Sequence, residues 1–347
     1  MAKRFGAQTN NQVKECLSML ILNAQEVKSV FPMKDAIESD KTAFLLHSQG
    51  NTEVPVRISF PVNENSTSQF MPAYVKSHVN RVGIKVVSTF PDNASKNIPV
   101  VTAQVLLLDP ETGEVCAMMN GTEVTKIRTG AISGAAIDIL ARKDCEKGAL
   151  FGTGGQAQSQ LEAMLTARSS LKEVKIFDLL EDRIAKFISA TGDMAEKFGV
   201  KIIGAKSSDD AIDEADIITT VTVSKTPVFD GTRVKDGAHV NGVGSYTPGA
   251  RELDFALIDR ARVFVDNKEA VFAEAGDFLI PIKEGKYSFD RVAGELGSVL
   301  DGKLEGRQSD SQITVMKTVG YAVLDVVAAW TIYNRAIELG IGSNINI

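Results

Sequence analysis

The sequence ALFGTGGQAQSQLEAM, residues 149–164, joins a short apolar run to an amphipathic helical pattern through a glycine-rich turn. The turn, Gly152-Thr153-Gly154-Gly155-Gln156-Ala157, has the G-x-G-x-x-A form of a dinucleotide-binding fingerprint. Its first glycine permits the tight turn, its second lets the backbone approach a pyrophosphate, and Ala157 keeps the helix close to the sheet. The N–H groups at the helix start would hold the pyrophosphate. A strand–turn–helix unit without a cofactor is the alternative interpretation.

The next predicted strand, EVKIF (173–177), ends at an acidic residue, Asp178. In this type of fold such a carboxylate accepts hydrogen bonds from the adenosine ribose hydroxyls, and its charge repels a 2′-phosphate. NAD(H) is therefore the expected cofactor, with NADP(H) as the alternative.

The chain beyond Lys126 alternates strand and helix patterns. After the fingerprint come a helical pattern at 181–199, a predicted strand VKIIGA, a helical pattern at 207–215 and a predicted strand DIITTVTV. Two further segments, AHVNGVGS and ARVFVDN, are predicted to be later strands of the same sheet. This alternation predicts a doubly wound parallel sheet with right-handed crossovers. Residues 309–340 have one long helical pattern, with a break near Gly320.

The first 125 residues have a different character, a helix followed by strands. Apolar residues recur at helical spacing from Met33 to Leu46, and VPVRISFP (54–61) alternates apolar residues on one face with Arg57 on the other. QFMPAYVK and RVGIKVVSTF follow, and a hairpin turns at Asp109-Pro110-Glu111-Thr112-Gly113. We predict an α/β protein in which residues 1–125 and a C-terminal helix form an α+β domain beside the central parallel-sheet domain.

The composition excludes several classes of protein. The 347 residues are 44% hydrophobic and 24% charged, with a formal net charge of −6. No basic run marks a surface for nucleic acid or anionic lipid, and no apolar run reaches the length of a membrane span. The basic residues at the start are not followed by the apolar stretch of a secretory signal, so a cytoplasmic location is expected.

Metal and nucleophile chemistry lack a recognisable pattern. The three cysteines, Cys16, Cys116 and Cys145, have no paired spacing, and Cys145 is predicted to be structural. The three histidines show no ligand spacing either, and no G-x-S-x-G motif is present. We therefore expect neither a metal site nor a disulfide framework.

Three cations are candidates for binding an anionic substrate. Arg128 stands at the predicted start of an Ala-rich helix (126–143), where a positive charge opposes the helix dipole and calls for an anionic partner. That partner would be a substrate carboxylate or a cofactor phosphate, the alternative being a solvated surface arginine. Arg57 and Lys85 lie mid-strand, where a charged residue usually faces water. Together with Arg128 they would suit one small carboxylate.

Several segments together resemble the ornithine cyclodeaminase/mu-crystallin family over nearly the whole chain: RTGAISGAAIDILAR, GTGGQAQSQLEAM, ADIITTVT, GAHVNGVGSYTPGARELD and QITVMKTVGYAVLDVVAA. The resemblance implies a homodimer with a substrate-binding and dimerisation domain (1–125 with 320–347) and an NAD(P)-binding Rossmann domain (126–319). Members of the family include ornithine and lysine cyclodeaminases, an archaeal alanine dehydrogenase and reductases of cyclic imines.

The resemblance also implies roles for individual residues. Lys85 resembles the catalytic position, and Arg57 and Arg128 resemble positions that bind the substrate carboxylate. The implied cofactor contacts are Thr129, Gly152, Gly154, Gln156, Ala157, Asp178, Val221 and Lys317. Two further substrate positions depart from the cyclodeaminase pattern: Tyr246 stands where those enzymes have a catalytic acidic residue, and Gln69 stands where the ornithine enzymes have glutamate. Loss of two anionic partners for a distal ammonium group disfavours ornithine.

The function that the resemblance implies is NAD(P)H-dependent reduction of a small cyclic imino acid, such as Δ1-pyrroline-2-carboxylate or Δ1-piperideine-2-carboxylate, to L-proline or L-pipecolate. Arg128 and Arg57 would hold the carboxylate, and Lys85 would stabilise the anion or help to protonate the nitrogen. The alternatives are an alanine dehydrogenase, an ornithine cyclodeaminase and a non-catalytic protein that binds NAD(P)H and a small ligand.

Overall fold

The computed structural model describes residues 18–346, which divide into two compact units. The parallel-sheet unit consists of Met33–Gly50 and Lys126–Leu324. The mixed-sheet unit consists of Asn51–Thr125 with the described residues of 1–32 and 325–347. Each unit contains one sheet of eight strands.

The strands and helices are numbered along the chain. The strands are β1 (Ser18–Leu22), β2 (Thr52–Glu53), β3 (Ile58–Pro61), β4 (Thr67–Val75), β5 (Arg81–Thr89), β6 (Val101–Leu108), β7 (Val115–Asn120), β8 (Lys147–Phe151), β9 (Glu173–Phe177), β10 (Lys201–Gly204), β11 (Ile217–Thr220), β12 (His239–Gly242), β13 (Arg262–Val265), β14 (Gly294–Glu295), β15 (Thr314–Lys317) and β16 (Ser343–Asn346). The helices are α1 (Ala24–Val30), α2 (Met33–Ser48), α3 (Gly121–Leu140), α4 (Ala157–Ala167), α5 (Glu181–Ala190), α6 (Gly192–Phe198), α7 (Ser208–Ile212), α8 (Phe255–Arg260), α9 (Lys268–Glu274), α10 (Gly276–Lys283), α11 (Leu296–Leu300) and α12 (Ala322–Leu339).

The sheet of the parallel-sheet unit has the order β10-β9-β8-β11-β12-β15-β13-β14, and every neighbouring pair is parallel. Alternate residues of its central strands enter two separate cores: Leu150 and Ile217 pack in one, Phe151 and Ile218 in the other. Both faces are therefore covered, as a parallel sheet requires. The predicted α/β fold with a central doubly wound sheet is confirmed.

Helix α2 belongs to the parallel-sheet unit, whereas the sequence placed it with residues 1–125. Its side chains explain the difference: Ile37 fills the space beside Gly134, and the Lys41 ammonium lies 2.7 Å from the Asp138 carboxylate. The same unit also extends to Leu324, beyond the boundary expected at residue 319.

Two helix predictions in the parallel-sheet unit were wrong. The segment 181–199 forms two helices, α5 and α6, because Thr191 interrupts the pattern and its hydroxyl donates to the Phe187 carbonyl. Thr314–Lys317, expected in the C-terminal helix, is instead a fully buried strand between β12 and β13. A strand buried on both faces is apolar throughout and has no period of two, so its pattern merges with that of the following helix.

The sheet of the mixed-sheet unit has the order β16-β1-β7-β6-β5-β4-β2, with β3 paired to β4. The predicted hairpin joins β6 to β7, and β1 runs parallel to β7, so the sheet is mixed. The strand expected at 54–61 forms only at Ile58–Pro61, after Pro55 has removed one backbone donor. Its apolar face is not buried: Ile58 is 62% exposed and Phe60 45% exposed, and among the described strands β3 pairs with β4 alone.

Candidate active site

The fingerprint turn connects β8 to α4 at the carboxyl edge of the parallel sheet. Gly152 has a φ of +97°, and a Cβ there would come within 2.8 Å of the Val221 carbonyl oxygen, so this position requires glycine. At Gly154 and Gly155, by contrast, no atom of the described chain lies within 4 Å of an added Cβ. The described chain would therefore accommodate a side chain at these two positions, and the fingerprint accounts for glycine there by the approach of a pyrophosphate to the backbone.

Two further features fit a dinucleotide at this turn. Gln156 precedes α4 without making a side-chain capping hydrogen bond, so an anion can approach the N–H groups at the start of the helix. One oxygen of Asp178 accepts hydrogen bonds from the Thr153 N–H at 3.1 Å and the Thr153 hydroxyl at 2.7 Å. This fixes a half-buried carboxylate beside the turn, where it can bind ribose hydroxyls and repel a 2′-phosphate.

The structure brings two more predicted cofactor residues to the same turn. Helices α3 and α4 lie very close together, since a Cβ on Gly130 would be 2.5 Å from the Ser159 carbonyl oxygen. Gln160 donates to the Thr129 carbonyl at 3.0 Å, which fixes Thr129 beside the first turns of α4. Val221 follows β11, and its N–H donates to the Phe151 carbonyl at 2.9 Å.

Arg128 lies two turns inside α3 and not at a helix start, because the helix begins at Gly121, where the Asn120 side chain accepts from the Glu123 N–H. The dipole argument for its anionic partner was therefore wrong. The guanidinium is buried, and its Nη1 lies 2.7 Å from the position of a Cβ on Gly320, whose φ is +71°.

A buried carboxylate that sequence analysis missed holds the segment around Gly320. Asp266 accepts hydrogen bonds from the Thr318 hydroxyl, the Val319 N–H and the Gly320 N–H. Burial raises the pKa of Asp266, and these donors oppose that shift. The segment that faces Arg128 is therefore fixed by the end of β13.

Lys85 lies on β5 in the mixed-sheet unit, and the expectation that a mid-strand lysine faces water was wrong for it. The residue is 2% exposed, and its Nζ lies 2.7 Å from a carboxylate oxygen of Asp325, which is 1% exposed. Asp325 was not among the site residues predicted from the sequence. A single acidic residue within the apolar helix AVLDVVAAW was the available sign, because a buried carboxylate needs a charged or hydrogen-bonding partner.

Gln69 shares a face of the mixed sheet with Lys85. Gln69 pairs with Val87, two positions along β5 from Lys85, and alternate residues of a strand point to the same side. The Gln69 amide donates to the Ser59 hydroxyl at 3.4 Å. Arg57 is half-buried and directly precedes β3 rather than lying mid-strand.

The remaining two predicted site residues differ sharply in exposure. Tyr246 is 49% exposed in the loop after β12. Lys317 has no exposed surface, and its Nζ lies 2.9 Å from a carboxylate oxygen of Asp277, which is equally buried. In the structure Lys317 thus contacts a buried acid, whereas the resemblance implied a cofactor contact.

Other titratable residues have structural surroundings. His239 hydrogen-bonds through both ring nitrogens to Thr314 and Asn241, and burial lowers its pKa to about 3. Burial raises the pKa of Cys145 to about 11, which makes its thiol inert, while Cys16 lies outside the described residues. Within 18–346, no cluster of three or more His, Cys, Asp or Glu residues could hold a metal ion. No helix in that part of the chain is long and apolar enough to cross a membrane.

A fingerprint turn with a fixed carboxylate at the end of the next strand defines a dinucleotide-binding protein of the Rossmann class. The chain belongs to the ornithine cyclodeaminase/mu-crystallin family, whose model matches residues 18–340. The family membership predicted from the sequence is thereby confirmed.

The chain is similar to several proteins of known activity. It is 37% identical over 329 residues to a Δ1-pyrroline-2-carboxylate reductase of Bacillus cereus, covering 94% of this chain and 99% of that protein. The Thermococcus litoralis Δ1-pyrroline-2-carboxylate reductase, solved with NADH and L-proline, is 36% identical with a TM-score of 0.89, over 94% of this chain and 100% of that one. An archaeal alanine dehydrogenase dimer with bound NAD is 32% identical with a TM-score of 0.87, over 94% and 99%.

Proposed function

We propose that this protein is an NAD(H)-dependent reductase of small cyclic imino acids, which converts Δ1-pyrroline-2-carboxylate to L-proline and Δ1-piperideine-2-carboxylate to L-pipecolate. The observation that carries the proposal is the fingerprint turn with Asp178 fixed by Thr153, in a chain whose relatives at 36–37% identity are Δ1-pyrroline-2-carboxylate reductases. The proposed reaction is the reduction of the C=N bond of the imine. We also propose a cytoplasmic location, where reduced NADH is available.

The parallel-sheet unit holds the cofactor, which supplies the hydride when bound. Gly152, Gly154 and Gln156, with Ala157 at the start of α4, would hold the pyrophosphate, and Asp178 the adenosine ribose. Thr129 and Val221 flank the same turn. Because the Asp178 carboxylate would repel a 2′-phosphate, NADH is preferred over NADPH.

The substrate residues keep the roles that the resemblance implies. Arg57 and Arg128 bind the carboxylate of the imino acid, since guanidinium groups bind carboxylates bidentately. Lys85 provides a proton for the imine nitrogen, directly or through water, while Asp325 balances the buried positive charge. Gln69 and Tyr246 are neutral, so neither provides an anionic partner for the distal ammonium group of ornithine.

A homodimer is the proposed assembly, with the outward face of β3 and β4 as its interface. Ile58 is largely exposed, and Phe60 stacks on Phe70 with their ring centroids 5.9 Å apart. An exposed apolar patch of this kind is typical of a protein interface. The solved archaeal alanine dehydrogenase, which the chain resembles, is a dimer.

The test is the loss of NADH absorbance with each cyclic imine, compared with pyruvate plus ammonium and with ornithine. Rapid oxidation of NADH with a preformed imine and no ammonium is expected. A rate that saturates with ammonium and pyruvate alone would instead identify an amino-acid dehydrogenase, which the 32% identity to an Archaeoglobus fulgidus alanine dehydrogenase favours as the second candidate. If NADH is oxidised with neither imine, the proposal is overturned.

A further inference from the structure

A fully buried glutamate, Glu252, joins two loops at the carboxyl edge of the parallel sheet. One carboxylate oxygen accepts the Thr222 N–H at 2.5 Å. The other accepts the Gly244 N–H at 2.6 Å and the Thr220 hydroxyl at 3.0 Å. Thr222 follows β11 and Gly244 follows β12, so one side chain holds the two loops together.

The two loops touch each other directly at this point. A Cβ on Gly244 would lie 2.0 Å from the Thr222 carbonyl oxygen and 2.6 Å from the Glu252 carboxylate. No side chain other than hydrogen fits there, and the arrangement therefore depends on close backbone contact as well as on the carboxylate.

Glu252 is itself fixed by the buried ion pair of Lys317 and Asp277. One oxygen of Asp277 accepts the Glu252 N–H at 2.7 Å and the Leu253 N–H at 2.9 Å, and the other lies beside the Lys317 ammonium. Burial raises the pKa of Glu252, and the nearby Lys317 charge opposes this. Two backbone N–H groups, which can only donate, point at the two oxygens of its side chain, and this suits an ionised carboxylate.

The loops that Glu252 joins carry residues of the proposed site. Val221 lies against Gly152 of the fingerprint turn, and Tyr246 lies in the loop after β12. Ligands of open parallel sheets bind outside the carboxyl ends of such strands. Glu252 has no exposed surface, so it acts on a ligand only through these loops.

We propose that Glu252 is a positioning residue that holds the loops after β11 and β12 in the arrangement in which bound NADH transfers its hydride. This inference rests on the proposed reductase function. In this proposal Lys317 stabilises Glu252 through its ion pair with Asp277 and does not contact the cofactor directly.

The decisive variant is Glu252→Gln, which keeps the size of the side chain but turns one acceptor oxygen into a donor amide. A backbone N–H of one of the two loops then points at the new amide NH2 group and has no acceptor. Trypsin should cut after the exposed Lys225, in the loop after β11, about tenfold faster in the cofactor-free protein. The kcat for the imine should fall at least about tenfold, while the Kd for NADH changes less than about threefold because the fingerprint and Asp178 are untouched.

The matched control is Asp216→Asn at the opposite, amino edge of the same sheet. Asp216 is also buried and accepts two backbone N–H groups, those of Glu146 and Lys147. This variant should lower the Tm as Glu252→Gln does, yet leave both kcat and cleavage after Lys225 at wild-type values. A kcat and a cleavage rate in Glu252→Gln equal to those of Asp216→Asn would overturn the proposal.

A second variant and a spectroscopic measurement test the role of Glu252 independently of catalysis. If Glu252→Gln does not fold, Thr220→Val removes a single donor and should raise cleavage after Lys225 about threefold, whereas an unchanged rate contradicts the inference. The fluorescence of bound NADH should also change in Glu252→Gln. If the wild-type protein reduces no imine, the proposed function fails, and proteolysis and NADH fluorescence still decide the role of Glu252.

Discussion

Within residues 18–346, each unit of the molecule contains a fully buried lysine–aspartate pair, and the two pairs differ in what surrounds them. Lys317 and Asp277 lie 2.9 Å apart without exposed surface, and Asp277 also binds two backbone N–H groups. Lys85 and Asp325 lie 2.7 Å apart at 2% and 1% exposure, on the sheet face that also carries Gln69. We infer that the first pair stabilises loops and the second serves chemistry, so burial of a lysine alone does not distinguish the two roles.

The largest expected effect is on kcat, in a variant that keeps the positive charge of Lys85 but removes its ability to donate a proton. Lys85→Arg keeps a cation beside Asp325 but replaces the amine by a guanidinium that does not release a proton. We expect kcat for the imine to fall by about 10²–10⁴, with the Kd for NADH unchanged. Steady-state kinetics and a fluorescence titration measure the two quantities.

The control for this variant is Lys76→Arg, at a surface ion pair with Glu53 in the same unit. It should leave kcat unchanged. Activity of Lys85→Arg within threefold of wild type would contradict the chemical role and make the two buried pairs equivalent.

The next largest effect concerns stability. Lys317→Met leaves the Asp277 carboxylate buried without its cation, and should lower the free energy of unfolding by about 3–5 kcal/mol. Adding Asp277→Asn removes the uncompensated charge and keeps an oxygen for the two backbone N–H groups, so much of the loss should be recovered. Urea denaturation followed by circular dichroism measures both variants. A double variant no more stable than Lys317→Met would show that charge compensation is not the function of this pair.

A third prediction distinguishes the two units by pH. The pKa of His239 in the folded parallel-sheet unit is about 3, below its ordinary value of 6.5, because burial disfavours the charged ring. Above pH 6.5 the ring is neutral in both the folded and the unfolded state, and titration of His239 does not reduce the free energy of unfolding. As the pH falls from 6.5 towards 3, the unfolded state binds a proton that the folded state does not, so the free energy of unfolding decreases. The slope should be about 1.4 kcal/mol per pH unit for one proton.

His239→Gln removes that titration and should flatten the acid limb of the stability curve relative to wild type. The single tryptophan, Trp330, belongs to the mixed-sheet unit, and its fluorescence reports that unit separately. Equal acid slopes in wild type and His239→Gln would assign the acid sensitivity to other groups.

The smallest expected effect concerns the affinity of the parallel-sheet unit for NADH and NADPH. Asp178→Ser should weaken NADH binding about tenfold through the loss of a charged acceptor, and should improve NADPH binding. The KM for the imine should stay the same. Asp182→Ser, at an exposed carboxylate in the first turn of α5, is the control and should change neither cofactor. An unchanged ratio of NADH to NADPH affinity would remove Asp178 from the ribose site.

The sequence predicted most of the parallel-sheet unit because glycine-rich turns and amphipathic helices separate its apolar strands. It failed at Thr314–Lys317, where a strand buried on both faces has the same apolar pattern as the helix after it. It also placed the start of α3 too late, although Asn120 and Glu123 carry the capping pattern that begins that helix.

The candidate site was predictable where one local motif contains it, as at Gly152–Ala157 and Asp178. Glu252 and Asp325 were not found, because each acts through a partner far from it in the sequence. Thr222 lies 30 residues from Glu252, and Lys85 lies on a strand more than two hundred residues before Asp325. Only packing brings such groups together. The carboxylates themselves show no spacing that a motif could describe.

The connectivity of the two sheets also sets an order of events during synthesis. All strands of the parallel sheet lie between residues 147 and 317, so this sheet can form as soon as that stretch has left the ribosome. In the mixed sheet, β16 at Ser343–Asn346 pairs with β1 at Ser18–Leu22. The nascent chain must therefore keep the outer edge of β1 unpaired while more than three hundred residues are made, and this edge is open to aggregation until β16 emerges.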